Sequence, residues 1–259
     1  MAPADLFAGA WGGLAGPGLA ALAMAMAVFL LAATVKGTLG IGLPLVAVPL
    51  LALSRPSTQA IALMVMPVLV SNAWQVWDSG ISRRGVARFM PLIATLVPST
   101  LLTVHLTLAL PEATLRAVLA VIVLIAVALL ALPLHLQVPP ARERLWSAAI
   151  GAVSGLMGGV STLTGPVIIS YLLSLRLSRE VFVGSISVIY LCGALPLFGA
   201  MTIQGRIGRD ELLLSTLALA PMALGLALGK RLRGHLSEFW FRRALMAFLV
   251  VVALGLILK

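Results

Sequence analysis

Continuous apolar runs, each roughly long enough to cross a bilayer, recur from one end of this chain to the other. Between them lie only short loops in which the charged residues gather. A helix that spans hydrocarbon needs about 20 apolar residues, so a chain of 259 residues has room for about eight to ten crossing or half-crossing helices and none for a separate soluble domain. Hydrophobic residues make up 61% of the sequence and charged residues 10%. That composition, with a mean hydropathy of +1.12, excludes a water-soluble fold. Outer-membrane barrels read as short strands of alternating polarity, and that alternation is absent here. The expected fold class is an all-α integral membrane protein.

A net charge of +10 would point to nucleic acid in a soluble protein. Here the basic residues sit in clusters between apolar runs, so they read as topology signals and no nucleic-acid partner is expected. The single cysteine, Cys192, excludes an intramolecular disulfide, a cysteine-rich metal site and an iron–sulfur cluster. The N-terminal Met1-Ala-Pro-Ala-Asp5 lacks a basic region, so no cleaved secretory signal is expected.

Gly, Pro and charge divide the chain into ten apolar segments: 17–35, 43–53, 57–77, 86–110 and 113–134, then 145–156, 163–175, 181–203, 212–230 and 239–258. The second, sixth and seventh are too short to cross, which makes them half-helices or oblique segments. The halves repeat, as residues 1–140 and 141–259. Lys36-Gly-Thr-Leu-Gly-Ile-Gly42 with Pro49 has its counterpart in Gly155-Leu-Met-Gly-Gly-Val-Ser161 with Pro166. Each is followed by a short apolar run and a basic turn, Ser54-Arg-Pro-Ser57 and Leu175-Arg-Leu-Ser178. Glu112 with Arg116, and Glu238 with Arg242, open the final helix of each half as ordinary i,i+4 pairs.

Five segments per repeat is an odd number, so the second half is expected to be inverted. With the loop of Arg83, Arg84 and Arg88 placed inside and each Gly-broken pair returning to its starting side, twelve basic residues fall inside and five outside. Both termini are then periplasmic. Trp77, Trp146 and Trp240 fall at inner ends, where belt residues belong.

A glycine-rich interruption inside an apolar stretch is tolerated only where protein or a water-filled cavity surrounds it. Two such breaks exist here, equivalent by the repeat and expected to meet near the midplane. The N-termini of the half-helices that follow would offer unpaired N–H groups and partial positive charge to an anion. Gly37, Gly40, Gly42, Gly158 and Gly159 would open the backbone. Thr34, Thr38, Ser154, Ser161, Thr162 and Thr164 would supply hydroxyls. Gly225 and Gly229 read instead as helix-packing residues. Lys36 is the one basic residue lodged in a break; it either neutralises an anion or snorkels to the interface. Asn72 and Gln75 share a helix face with Ser71 and Trp74 alongside, and either line the cavity or bond between helices. Ser185, Ser187 and Tyr190 are open to the same two readings. His105, His135 and His235 lie near segment ends without metal-ligand spacing, so neither a metal nor a cofactor is expected. Every carboxylate lies in a terminus or loop, which argues against a core proton relay and against cation transport. No Walker loop or nucleophile elbow is present.

At the paired breaks the sequence resembles the TauE/SafE family of sulfite exporters and organic anion permeases, also called TSUP. The residues that carry the likeness are Lys36-Gly-Thr-Leu-Gly-Ile-Gly-Leu-Pro44 through Pro49, Gly151-x-x-x-Gly-Leu-Met-Gly-Gly159 through Pro166, and Arg176-Leu-Ser-Arg179. The usual glycine triplet is Gly40-Ile-Gly42 in one half and Gly158-Gly159-Val160 in the other. The resemblance covers nearly the whole chain. It implies a secondary transporter in the bacterial inner membrane, most commonly an exporter, that moves sulfite, an organosulfonate or another small organic anion. A channel-like anion pore, or a permease for a non-sulfur carboxylate, is the alternative. The expected partners are a small anion, the lipid bilayer and a coupling proton or sodium ion, and small-residue helix faces permit a homodimer. A membrane-embedded enzyme is disfavoured because no catalytic pair is present.

Overall fold

A computed structural model describes residues 17–39, 42–131, 138–232, 235 and 237–258. Its helices in chain order are α1 (Pro17–Leu39), α2 (Pro44–Ala52), α3 (Ser57–Ala62), α4 (Val65–Ser79), α5 (Arg83–Arg88), α6 (Met90–Leu108) and α7 (Glu112–Ala131). They are followed by α8 (Glu143–Ser161), α9 (Gly165–Ser174), α10 (Arg179–Ile203), α11 (Arg209–Leu217), α12 (Leu219–Leu232) and α13 (Glu238–Ile257). No strand occurs among the described residues, and seven segments are long and apolar enough to cross a membrane. The chain is an all-helical multi-pass membrane protein. Leu102, Leu106, Leu224 and Val251 stand exposed on its flanks, where in water they would be a liability and in lipid they are the solvated surface.

Two of the short segments are short as expected: α2 has 9 residues and α9 has 10, about 14 and 15 Å of rise. The sixth segment is a correction. α8 runs for 19 residues, from Glu143 to Ser161, because its glycines remain helical and pack where they were expected to interrupt. The third segment, conversely, is divided at Leu63–Met64 into α3 and α4. The amide of Met66, just past that kink, donates to Ser215 Oγ of α11 at 2.8 Å, so a backbone group freed inside the membrane finds a partner on another helix.

α1 and α2 form a hairpin. The Arg55 guanidinium beyond α2 donates to the carbonyl of Ala21 at 3.3 Å, which returns the chain to the end where α1 began. α8 and α9 form a second hairpin, with Tyr171 and Leu172 of α9 packed in one cluster with Phe89, Val138 and Ile150. Polar ties fix which end each hairpin opens toward. Arg88 grips Glu143 at the start of α8 with two bonds, of 2.6 and 3.0 Å. Glu112 accepts from the amide and hydroxyl of Ser57 at 2.9 and 2.7 Å and pairs with Arg116 at 3.4 Å. Between Arg88 and Glu112 runs α6, 19 residues and about 28 Å long. The hairpins therefore enter from opposite ends of the bundle.

The closest helix packing is α6 on α8 and α1 on α12. Glycines allow both. A Cβ at Gly229 would lie 2.3 Å from the carbonyl oxygen of Thr34 and 2.7 Å from Gly37 Cα, while one at Gly225 would lie 2.4 Å from Leu30 O. On α8, a Cβ at Gly151, Gly155 or Gly159 would strike the backbone of α6 at Leu92, Leu96 or Thr100. Without a hydrophobic driving force between helices in lipid, such close approach supplies the dispersion contacts that hold them together. Trp77, Trp146 and Trp240 are all exposed, and Arg243 lies over the Phe239 ring at 4.1 Å.

The packing makes a graded prediction. Gly229→Ala forces α1 and α12 apart and should destabilise the protein by about 1–3 kcal/mol. Gly199→Ala, where nothing lies within 4 Å of the added carbon, should cost nothing. Thermal unfolding of the two variants in one detergent compares them; equal melting temperatures would contradict the assigned interface.

Candidate functional site

The two chain breaks come together on one cavity of about 40 Å³, room for a few waters or one small oxyanion. From the first hairpin it is lined by Lys36 at the end of α1 and by Gly42, Leu43, Pro44 and Leu45 at the start of α2. From the second hairpin come Gly158, Thr162, Leu163, Thr164, Gly165 and Pro166. The remaining walls are Val68, Ser71 and Asn72 of α4 and a stripe of α10 from Tyr190 through Gly193 and Ala194 to Leu197 and Phe198. The helices that start at this cavity, α2 and α9, both carry proline in their first turn, where no amide hydrogen is missed.

Several of the backbone amides expected to be open at the breaks are paired. In the first, the amides of Leu45 and Val46 donate to the carbonyls of Gly42 and Leu43 at 3.1 and 3.3 Å. In the second, Thr162 takes the left-handed conformation at φ 61°, unusual for a β-branched residue. Its amide donates to Gly158 O at 2.7 Å. Ser161 secures the turn, donating to Met157 O at 2.7 Å and accepting from the Leu163 amide at 3.1 Å. Gly158 has its own reason to be glycine: a Cβ there would lie 2.2 Å from Thr164 Cγ2, which folds back over the helix end. What the half-helices present to the cavity is the positive end of their dipoles.

Among the described residues Lys36 is the only charged one on the cavity wall. It stands in the last turn of α1, before the break, and its Nζ donates to Ser71 Oγ at 3.1 Å. Asn72 is 3% exposed; its Nδ2 donates to Val68 O at 2.8 Å, and its Oδ1 has no partner. The Tyr190 hydroxyl is likewise buried and unpartnered, beside Gly165. A single ammonium, buried hydroxyls and two helix N-termini, with no carboxylate, make a wall suited to an anion. Among the described residues no group of three or more His, Cys, Asp or Glu is placed to hold a metal ion.

Of the residues singled out in the sequence, the cavity gathers Lys36, Gly42, Asn72, Gly158, Thr162 and Thr164. Gly37 and Gly159 lie inside helices and face α12 and α6, so they serve helix approach and do not open the backbone. Thr34, Thr38 and Ser161 donate to carbonyls of their own helices. Gln75 lies one turn beyond the cavity, where its Oε1 accepts from Ser187 Oγ at 3.1 Å, and Trp74 is exposed. Gly40 lies outside the described residues, as does His135. Ser71 and Tyr190 had been noted without being assigned to the site. Their signal was helical spacing: Ser71 adjoins Asn72, and Tyr190 lies three before Gly193 on α10.

Comparison with known proteins gives one family. The sulfite exporter TauE/SafE family matches residues 25–256. No curated protein and no solved structure matches the chain. The match runs through both hairpins and every wall of the cavity, and the chain belongs to the sulfite exporter TauE/SafE family.

Proposed function

We propose that the chain is a secondary transporter, working as an exporter, of a small sulfur-containing anion such as sulfite or an organosulfonate across the bacterial inner membrane. Membership of the TauE/SafE family implies membrane transport of the anion-exporter type. The observation that carries the finer reading is Lys36: one buried-facing cation, and no carboxylate, on a cavity where both chain breaks meet. A lone charge at membrane depth is costly, and a bound anion would neutralise it. The small volume favours a compact oxyanion over a long-chain solute.

Alternating access follows from treating residues 1–140 and 141–259 as inverted repeats rocking about the shared cavity. Three observations support that treatment. The hairpins enter from opposite ends. The closest pairs, α1 on α12 and α8 on α6, exchange when the halves are exchanged. Gly37 and its counterpart Gly155 do the same job, each meeting the partner helix backbone. The excess of basic residues on the Arg88 and Arg144 side supports placing that side in the cytoplasm and the termini in the periplasm. A proton or sodium gradient is the proposed energy source.

Two measurements test the reading. Titration of purified protein with sulfite should show Lys36→Ala binding more than about tenfold more weakly, the loss expected of a charge-assisted contact. Lys36→Arg, which keeps the charge, should bind more tightly than Lys36→Ala; unchanged affinity in Lys36→Ala would remove Lys36 from the site. In proteoliposomes, sulfite flux should saturate and accelerate when sulfite is present on the opposite face. Linear, unsaturable flux would instead make the protein an anion pore.

A further inference from the structure

The hydrogen-bonding groups of the cavity wall are unequal in a way that bears on the protonation state of its ligand. The Lys36 ammonium gives one proton to Ser71 and retains two, the unpartnered Tyr190 hydroxyl can donate or accept, and Thr162 and Thr164 add hydroxyls to the same wall. Against them stands an acceptor. The Asn72 amide nitrogen must face Val68, because the 2.8 Å contact there is to a carbonyl oxygen and the flipped amide would set oxygen against oxygen. That leaves Oδ1, an atom that can only accept, buried and unpaired in a residue of the cavity wall.

A fully ionised oxyanion offers acceptors alone. It would satisfy Lys36 and Tyr190 and leave Asn72 Oδ1 orphaned beside negative charge, the costly way to bury a polar atom. Its second negative charge would also go unmatched, since Lys36 is the sole cation on the wall. An oxyanion that keeps one proton answers both demands. Resting on the anion reading above, we infer that the ligand is a monoanion bearing one acidic O–H, the O–H form of hydrogen sulfite among them. Its charged oxygens face Lys36 and Tyr190, and its hydroxyl donates to Asn72 Oδ1. Asn72 is then a specificity-determining residue, selecting the monoprotonated species from its dianion and, within the substrate class proposed above, hydrogen sulfite over an organosulfonate, whose strong-acid group carries no proton.

Two probes of nearly the same shape and equal charge isolate the proton. At a pH where methylphosphonate is a monoanion it carries one O–H; methanesulfonate carries none. Calorimetric titration of the purified full-length protein should show methylphosphonate binding at least about tenfold more tightly, about 1.4 kcal/mol. Raising the pH until methylphosphonate loses that proton should abolish the advantage. Asn72→Leu should bring the two probes level, whereas Lys36→Ala should weaken both. The wild-type comparison needs no variant to fold. Sulfite is titrated alongside: if sulfite and methanesulfonate bind as tightly as methylphosphonate, the proton requirement is overturned and the anion site stands. If none of the three binds, both readings fall.

Discussion

A peptide group that leaves helical geometry inside hydrocarbon has no water to turn to, and the rest of this structure is arranged around meeting that demand twice. At the second break the solution is local: Ser161, Thr162 and Gly158 trade backbone and hydroxyl bonds, and a threonine accepts a left-handed conformation that costs about 1–3 kcal/mol. At the first, the α2 turn bonds back on Gly42 and Leu43. The kink between α3 and α4 is met from a distance by Ser215. Each solution needs protein on all sides, so the breaks belong at the centre of the bundle. Once there, both half-helices begin at the same small space.

The glycines contribute to this indirectly. Gly37 and Gly229 let α1 and α12 touch backbone to backbone, and Gly151, Gly155 and Gly159 do the same for α8 on α6. These contacts hold the long arm of each hairpin and thereby fix where its tip lies. Lys36 stands one residue before Gly37, and Gly158 one before Gly159. With successive side chains about 100° apart around a helix, the packing residue turns outward to the neighbouring helix while its predecessor turns to the cavity. One motif therefore serves two faces.

That double use explains what could and could not be read from the sequence. The membrane class, most of the apolar segments, the two breaks and the candidates Lys36, Asn72, Gly158, Thr162 and Thr164, which the fold brings to one cavity, follow from local composition and repetition. The role of Gly37 or Gly159 does not, because it depends on a partner helix remote in sequence, Gly229 in one case and Thr100 in the other. A glycine that breaks a helix and one that packs it look alike until the partner is known, and the same ambiguity made α8 read as too short. At the second break the left-handed conformation falls on Thr162, which no glycine count would find. Ser71 and Tyr190 were visible as polar residues on apolar helices, but membership of the cavity wall is a property of how α4 and α10 cross.

The crossing of α4 and α10 is itself uneven. The helices run antiparallel, with Gln75 bonded to Ser187 and Ser79 beside Gly184 on the Arg88 side of the cavity. On the opposite side, toward Ser57 and Glu112, the cavity-wall residues Val68, Ala194, Leu197 and Phe198 are followed by buried Val65 and Met201, with Ser215 of α11 bonded to the Met66 amide. An ion leaving the cavity along the first half of this seam passes an amide and hydroxyls that can replace part of its hydration. Along the second half the α4 and α10 side chains are mainly hydrocarbon, where an unpaired charge is expensive. The seam is therefore the more polar on the Arg88 side, although Ile186 and Ile189 are buried there too. If the cavity takes the anion proposed above, passage to the Glu112 side would have to part the apolar contacts between α4 and α10, and passage to the other side the hydrogen bond between Gln75 and Ser187.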